Sequence, residues 1–126
     1  MTGREFLAMS LIDTLIILAA AAFLSTPVMA RECGGQWLVA SHYGRESGSR
    51  TADGSFFDGS QMVAAHRSWK FGTKLRVSYQ GRSVLVTVRD RGPFIRGRSL
   101  DLSTAAARKI GLTKRGVDRV CVARVG

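Results

Sequence analysis

Asp90 is the residue of this sequence best placed to do chemistry. It follows the alternating run Val84-Leu85-Val86-Thr87-Val88, which is typical of a half-buried strand, and it precedes Gly92-Pro93. Pro93 has a fixed φ and no N–H, so the strand has to end close to it. A carboxyl group at the end of a rigid strand can give a proton to a substrate or take one from it. A structural ion pair with Arg91 or Arg98 is the alternative role, and we weigh the two equally.

Short strands are predicted on both sides of this segment, together with one small helix. Residues 45–60 are rich in Gly, Ser, Arg and Asp and predict a long surface loop, in which we expect one ring of the Phe56-Phe57 pair to be buried and the other exposed. Ser103 is a plausible N-cap for a helix over 104–110 that Gly111 ends. Many short strands with one helix favour a compact β-barrel. The predicted strands are 36–43, 62–66, 74–79, the Val84 strand, 98–102 and 118–125.

The first thirty residues have the pattern of a secretory signal peptide. Arg4 gives a basic start, residues 14–24 form an apolar run, and Val28-Met29-Ala30 has the small-x-small form of a cleavage site. The run is too short to cross the ~30 Å hydrocarbon layer as a spanning helix. An uncleaved N-terminal anchor is the alternative. We expect the folded domain to be residues 31–126, in an exported, periplasmic or extracellular location.

The chain is strongly basic, with 19 Lys and Arg residues against 9 Asp and Glu. Such a surface favours an anionic partner. The basic residues are scattered, without an aromatic-interleaved cluster or a helix-turn-helix signature, so we expect no nucleic-acid partner. For an exported protein, the anionic cell wall or lipid head groups are the nearer candidates, with loose association to the envelope.

Two cysteines, Cys33 and Cys121, lie near the two ends of the predicted domain. In an oxidising compartment a single pair suggests one disulfide, with two free thiols as the alternative. No C-x-x-C motif and no paired Cys/His spacing is present, so we expect no structural zinc. We expect no other cofactor or metal, and a monomer.

An ordered set of short motifs over residues 38–125 resembles the rare lipoprotein A (RlpA)-like family, which shares its fold with barwin and expansins. Asp90-Arg91-Gly92-Pro93-Phe94 followed by Asp101-Leu102-Ser103 is the most specific part. The resemblance implies a mainly β fold, a six-stranded double-psi β-barrel with one or two short helices. The other matching segments are 40–44, 51–54, 57–58, 64–66, 71–73, 76–77, 97–98 and 105–106.

The resemblance implies a secreted endolytic peptidoglycan transglycosylase that prefers glycan strands without stem peptides. Such an enzyme breaks the bond between N-acetylmuramic acid and N-acetylglucosamine without water, and the C6 hydroxyl of the muramic acid forms a 1,6-anhydro end. One carboxyl can serve as acid and then as base, and Asp90 stands at the family's aspartate position. Asp90 would need a raised pKa, which burial favours and Arg89 and Arg91 oppose. His66 stands at the family's histidine position and is expected to assist catalysis by orienting the substrate or Asp90; a structural role is given about equal weight.

The remaining site residues follow from the same comparison. The residues expected to contact the glycan are Tyr43, Ser55, Asp58, Arg91 and Arg98. Asp58 matches a family position, where fixing the loop is favoured over catalysis. Ser55 stands where the family usually has a glutamate; Asp53 and Asp58 are the nearby carboxyls that could replace it. A non-catalytic, expansin-like glycan-binding module is the alternative function, and a basic exported inhibitor or structural wall protein is a third.

Overall fold

The computed structural model describes residues 33–126, so the signal peptide predicted for residues 1–30 lies outside the described residues. Six strands form a closed barrel in the order β1-β5-β2-β4-β3-β6. A closed barrel leaves no unpaired strand edge. The strands are β1 (Gln36–Tyr43), β2 (Val63–Ala65), β3 (Lys74–Tyr79), β4 (Arg82–Asp90), β5 (Leu100–Ser103) and β6 (Asp118–Arg124).

The core follows from the alternation that the sequence displays. In β3 and β4 every second residue is buried, and Val77 faces its antiparallel partner Val84 in the interior. Leu100 and Leu102 of β5 are fully buried, while Asp101 between them is half-buried on the opposite face. These alternating strands confirm the predicted six-stranded barrel.

One α-helix, α1 (Thr104–Ile110), covers part of the barrel. The Ser103 hydroxyl accepts a hydrogen bond from the backbone N–H of Ala106, and Gly111 ends the helix in the left-handed conformation at φ 80°. Both ends are as predicted. Two 3-10 turns, Arg45–Ser47 and Leu112–Lys114, complete the secondary structure.

Three predicted strands have ends that differ from the structure by one or two residues. The strand predicted at 62–66 is confined to Val63–Ala65, the one predicted at 98–102 is Leu100–Ser103, and β6 ends at Arg124. In the 45–60 segment Phe57 is buried and Phe56 is 58% exposed, as expected for this pair.

Cys33 and Cys121 form a disulfide with 5.9 Å between their Cα atoms. The bond ties the segment before β1 to β6, across 88 positions of sequence. The alternative of two free thiols is therefore excluded.

Replacing both cysteines, Cys33→Ser with Cys121→Ser, is expected to lower the free energy of unfolding by about 2–4 kcal/mol, because the unfolded chain is no longer closed into a long loop. Urea denaturation of the oxidised proteins measures the change. A thiol reductant serves as the control: it should destabilise the wild type and leave the double variant unchanged. Equal midpoints for the oxidised wild type and the variant would contradict the expectation.

Candidate active site

A cleft of about 330 Å³ opens where β4 ends. It contains two carboxyl groups, Asp90 at the end of β4 and Asp101 in the middle of β5. Among the described residues, the cleft is lined by Tyr43, Ser47, Arg50, Ala65, Asp90, Arg91, Gly92, Pro93, Phe94, Ile95 and Asp101. Below, "the cleft" means the cavity that these residues line.

The two carboxyl groups meet because the short strand β2 lies between β4 and β5. Ala65 is the register partner of Asp90 on one side and of Asp101 on the other. Two strand spacings place the two Cα atoms roughly 10 Å apart, on one face of the sheet. The register of β2 with β4 shifts by one residue just before this pair, since Ala64 faces Val88 and Ala65 faces Asp90. Such a bulge re-aims the side chain that follows it.

Backbone N–H groups hold the Asp90 carboxyl. Its Oδ1 accepts hydrogen bonds from the N–H of Ala52 and from its own neighbour Arg91, each at 2.9 Å. The ion pairs found in residues 33–126 join Arg89 to Asp53 and Arg115 to Asp118, and neither includes Asp90. The alternative role of Asp90, an ion pair with Arg91 or Arg98, is therefore not found among the described residues.

Asp101 has the titration behaviour expected of a proton donor. Burial raises its pKa to about 6; a hydrogen bond from the Ser41 hydroxyl (3.2 Å) and the charge of Arg98 act against this, and the negative charges of Asp90 and Glu46 add to it. A carboxyl group with this pKa keeps a proton at mildly acidic pH.

Asp101 belongs to the Asp101-Leu102-Ser103 motif, but no role was predicted for it from the sequence. A signal was present: a single carboxyl alternates with Leu100 and Leu102 in a strand, so it must leave the core on the opposite face. Arg50, Ser47, Phe94 and Ile95 of the cleft were also not predicted as site residues.

Tyr43 brings a phenol to the same cleft, where the sequence analysis expected a substrate contact. Its ring stacks on Phe57, with 4.8 Å between ring centroids. The hydroxyl is buried and has no hydrogen-bond partner of good geometry within residues 33–126. Its pKa is raised by burial, and further by the neighbouring Asp90 carboxylate. The phenol therefore stays protonated, with the Asp90 carboxylate as its adjacent acceptor.

Asp53 fixes the segment that carries Ala52, residues 51–55, which we call the 51–55 loop. Asp53 Oδ1 accepts hydrogen bonds from the hydroxyls of Thr51 and Ser55 (2.6 Å each) and from the N–H of Ser55 (3.0 Å), while Oδ2 pairs with Arg89 at 3.1 Å. Burial alone would raise the pKa of Asp53, but these bonds together hold it well below its usual range. Asp53 and Ser55 thus act on each other, and neither is among the residues that line the cleft.

His66 lies next to the cleft in sequence, but its ring is engaged elsewhere. Its Nδ1 accepts the N–H groups of Ser68 (3.1 Å) and Trp69 (3.0 Å), and the ring stacks on Trp69 with 3.8 Å between centroids. Burial, with the charges of Arg124, Arg91 and Arg67, lowers the pKa of His66. The imidazole is not among the described residues that line the cleft. The hydrogen bonds and the ring stacking described for the His66 imidazole are thus with residues of the 66–69 turn.

The other predicted residues are divided between the cleft and its surroundings. The Arg91 guanidinium donates to the carbonyls of His66 (3.2 Å) and Trp69 (2.7 Å) and lies over the ring of Phe71. Arg98 acts on the cleft through its charge near Asp101. Asp58 borders a different cavity, where its Oδ1 accepts from the N–H and hydroxyl of Ser60.

Residues 33–126 contain neither a cluster of metal ligands nor a membrane-spanning helix. Within this range no three His, Cys, Asp or Glu side chains come together as metal ligands. No helix in the described part of the chain is long and apolar enough to cross a membrane.

Comparison with protein families matches residues 36–122 to the family described as lytic transglycolase. The protein named "Probable endolytic peptidoglycan transglycosylase RlpA" from Nostoc sp. (strain PCC 7120) is 50% identical over 93 residues, which are 70% of this chain and 25% of that protein. "Endolytic peptidoglycan transglycosylase RlpA" from Pasteurella multocida is 40% identical over 87 residues, 67% of this chain and 30% of its own length. This chain thus spans between a quarter and about a third of these relatives.

Solved structures with the same barrel include proteins with other names. The Streptomyces papain inhibitor is 29% identical with a TM-score of 0.60, covering 73% of this chain and 96% of its own. An expansin from Clavibacter michiganensis is 23% identical with a TM-score of 0.58, covering 71% of this chain and 50% of its own, a likeness of fold. Together with the barrel topology, these neighbours confirm the predicted double-psi fold.

Asp53→Ala is expected to lower the free energy of unfolding by about 2–3 kcal/mol at neutral pH, because it leaves Thr51, Ser55 and Arg89 without their common acceptor. Because the pKa of Asp53 is lowered in the folded state, this stabilisation is present above the ordinary aspartate pKa of about 3.9 and is lost as the pH falls below it. Urea denaturation at pH 7 and pH 3 measures both effects. Asp58→Ala, which removes the acceptor of two hydrogen bonds from Ser60 but no ion pair, is the matched control and should cost less than Asp53→Ala; equal losses in the two variants would contradict the assignment.

Asp101→Asn is expected to stabilise the fold at pH 7 and not at pH 4. The pKa of Asp101 is raised in the folded state, so wild-type stability falls as the pH rises from about 4 through about 6, and the amide has no charge to bury. Allowing for partial solvent screening, we expect a gain of about 1–2 kcal/mol at pH 7. Asn can still accept the Ser41 hydrogen bond. Urea denaturation from pH 4 to pH 7 tests this, and parallel pH profiles for the two proteins would show that the carboxyl is not buried as described.

Proposed function

Because the chain belongs to the lytic transglycolase family, we propose that its barrel cleaves the glycan strands of peptidoglycan without water, at the bond between N-acetylmuramic acid and N-acetylglucosamine. The observation that carries the proposal is the cleft, in which Asp101 with its raised pKa faces Asp90, itself fixed by two N–H groups. Paired carboxyls in different environments suit an acid and a base.

In this proposal Asp101 is the acid. It donates its proton to the glycosidic oxygen as the bond from that oxygen to C1 of the muramic acid breaks. Burial keeps Asp101 protonated up to about pH 6, and the cleft has room for a sugar beside it. This moves the acid role from Asp90, for which it was predicted from the sequence, to Asp101 on β5, on the other side of β2.

Asp90 is the base. The C6 hydroxyl of the muramic acid attacks C1 of the same sugar, its oxygen forms the new bond, and its proton passes to Asp90. The product has a 1,6-anhydro ring and no water is consumed. One proton leaves Asp101 and one arrives at Asp90, so the charge of the pair is unchanged and exchange with solvent resets it.

Tyr43 completes the site as a fixed donor. Its buried phenol stays protonated next to the Asp90 carboxylate and can turn from it to donate a hydrogen bond to a sugar oxygen. Preorganised donors of this kind stabilise charge that develops during a reaction.

The proposed substrate also fixes where the chain acts. Peptidoglycan lies in the cell envelope, outside the cytoplasm, so the chain must be exported, in agreement with the signal peptide predicted for residues 1–30. Loose envelope association, a monomeric state and a preference for strands without stem peptides remain predictions.

Asp101→Asn and Asp90→Asn are each expected to lower kcat by at least about 10²-fold, because each removes one of the two proton transfers. The assay incubates the purified protein with amidase-treated, peptide-free glycan strands and counts 1,6-anhydro ends by mass spectrometry. For the wild type, kcat should fall as the pH rises through about 6, as Asp101 loses its proton.

Asp58→Asn is the matched control, since Asp58 borders another cavity, and it should retain wild-type turnover. Wild-type levels of product from Asp101→Asn would overturn its role as the acid. Salt-sensitive binding to the glycan without any soluble product from the wild type would favour the non-catalytic, expansin-like alternative.

A further inference from the structure

Two large apolar side chains stand exposed at the rim of the cleft. Phe94 is 78% exposed and Ile95 is 56% exposed, and both line the cleft that contains the two carboxyl groups. Neither side chain packs in the barrel core. An apolar surface of this kind next to a polar site favours a bound partner with an apolar face.

The loop that carries them is fixed before any ligand arrives. We call residues 92–98 the rim loop. Its Phe94 ring rests on the backbone of Gly92, where an added Cβ would lie 3.6 Å from the ring; at φ 121°, that position also favours glycine. Within the loop, the N–H of Arg98 donates to the carbonyl of Ile95 at 3.2 Å.

Arg67 braces the rim loop from outside. Its Nε donates to the carbonyl of Pro93 at 2.8 Å, and its Nη2 donates to the carbonyl of Arg98. One guanidinium thus joins both ends of the segment that presents Phe94. A planar fork of donors fits two carbonyls in a way that a lysine ammonium does not.

We propose that the Phe94 ring is a stacking platform for one sugar ring of the glycan strand, beside the bond that is cleaved, and that Arg67 is the positioning residue that holds this platform. The proposal rests on the proposed function. A pyranose ring has an apolar C–H face that packs flat against an aromatic ring. The platform is continuous with the cleft, since Phe94 follows Asp90 by four positions and lines the same cavity.

The arrangement divides the work between the two sides of the cleft. The carboxyl groups of Asp90 and Asp101 act on the glycosidic bond, while Phe94 and Ile95 of the rim loop take no part in proton transfer and supply only contact area. We therefore expect the loop to affect KM and binding, with little change in kcat.

Phe94→Ala is expected to raise KM about tenfold with kcat close to wild type, and Phe94→Tyr to restore KM, because it restores the ring. The substrate is the same peptide-free glycan. Leu85→Ala is the matched control: Leu85 is 58% exposed on β4, outside the cleft, and its loss should leave KM unchanged.

Equilibrium binding separates this inference from the proposed function. In the Asp101→Asn background, which should bind without turnover, co-sedimentation with insoluble peptide-free glycan measures affinity. Adding Phe94→Ala should weaken binding about tenfold, and adding Leu85→Ala should not. If the wild type releases no anhydro ends but this difference in binding persists, the proposed function fails and the platform stands. Equal binding by the two double variants overturns the platform, whatever the activity.

Arg67→Met tests the brace, with Arg96→Met as the control for loss of one charge from the same region. Arg67→Met should raise KM in the way that Phe94→Ala does, and Arg67→Lys should restore it in part. Equal changes in Arg67→Met and Arg96→Met would show an effect of charge alone and overturn the positioning role. Circular dichroism of each variant verifies the fold. If Arg67→Met does not fold, Arg67→Lys is compared with Arg96→Lys, both of which keep the charge, and equal KM values for these two overturn the positioning role.

Discussion

The saturation of one carboxylate, Asp53, is the constraint on which the active cleft depends. Four hydrogen bonds close the 51–55 loop around it and tie the loop to Arg89, whose carbonyl also accepts the N–H of Asp53. This fixes the N–H of Ala52 at the Asp90 oxygen. Hydrogen bonds to an ionised group are stronger than neutral ones, so a polar loop without a core of its own becomes a rigid wall.

The cleft depends on the strand order of the barrel, which brings together two carboxyl groups from strands that do not pair with each other. Asp90 ends β4 and Asp101 sits inside β5, and only the insertion of β2 between these strands brings the two to the same residue, Ala65. The proximity has an electrostatic consequence, since the negative charge of Asp90 contributes to the raised pKa of Asp101. Burial is the largest cause of the raised pKa of Asp101; the Ser41 hydrogen bond and the charge of Arg98 oppose it, and the charge of Asp90 makes a smaller upward contribution.

Local patterns predicted most of the elements and only part of the site. The alternation of β3 and β4, the Ser103 cap and Gly111 gave those elements correctly, because each is a signal within a few residues. The bulge before Asp90 and the attachment of the 51–55 loop have no such signal, since they depend on pairing between distant segments. Asp101 could have been found from its alternation with Leu100 and Leu102. The engagement of His66 with Trp69 could not, because it requires the backbone of a turn that has no periodicity.

The excess of basic residues has a structural use that composition alone does not reveal. The Arg91 guanidinium donates to two backbone carbonyls and lies over the Phe71 ring. The Arg67 guanidinium donates to carbonyls at the two ends of the rim loop. These arginines cross-link loops around the cleft and do not pair with its carboxyl groups. Had they formed ion pairs with Asp101, its pKa would have been lowered, as Arg98 alone begins to do, and the group could not keep a proton. Cationic side chains thus build the walls of the cleft, and the raised pKa of Asp101, the proposed acid, depends on their being directed at the backbone.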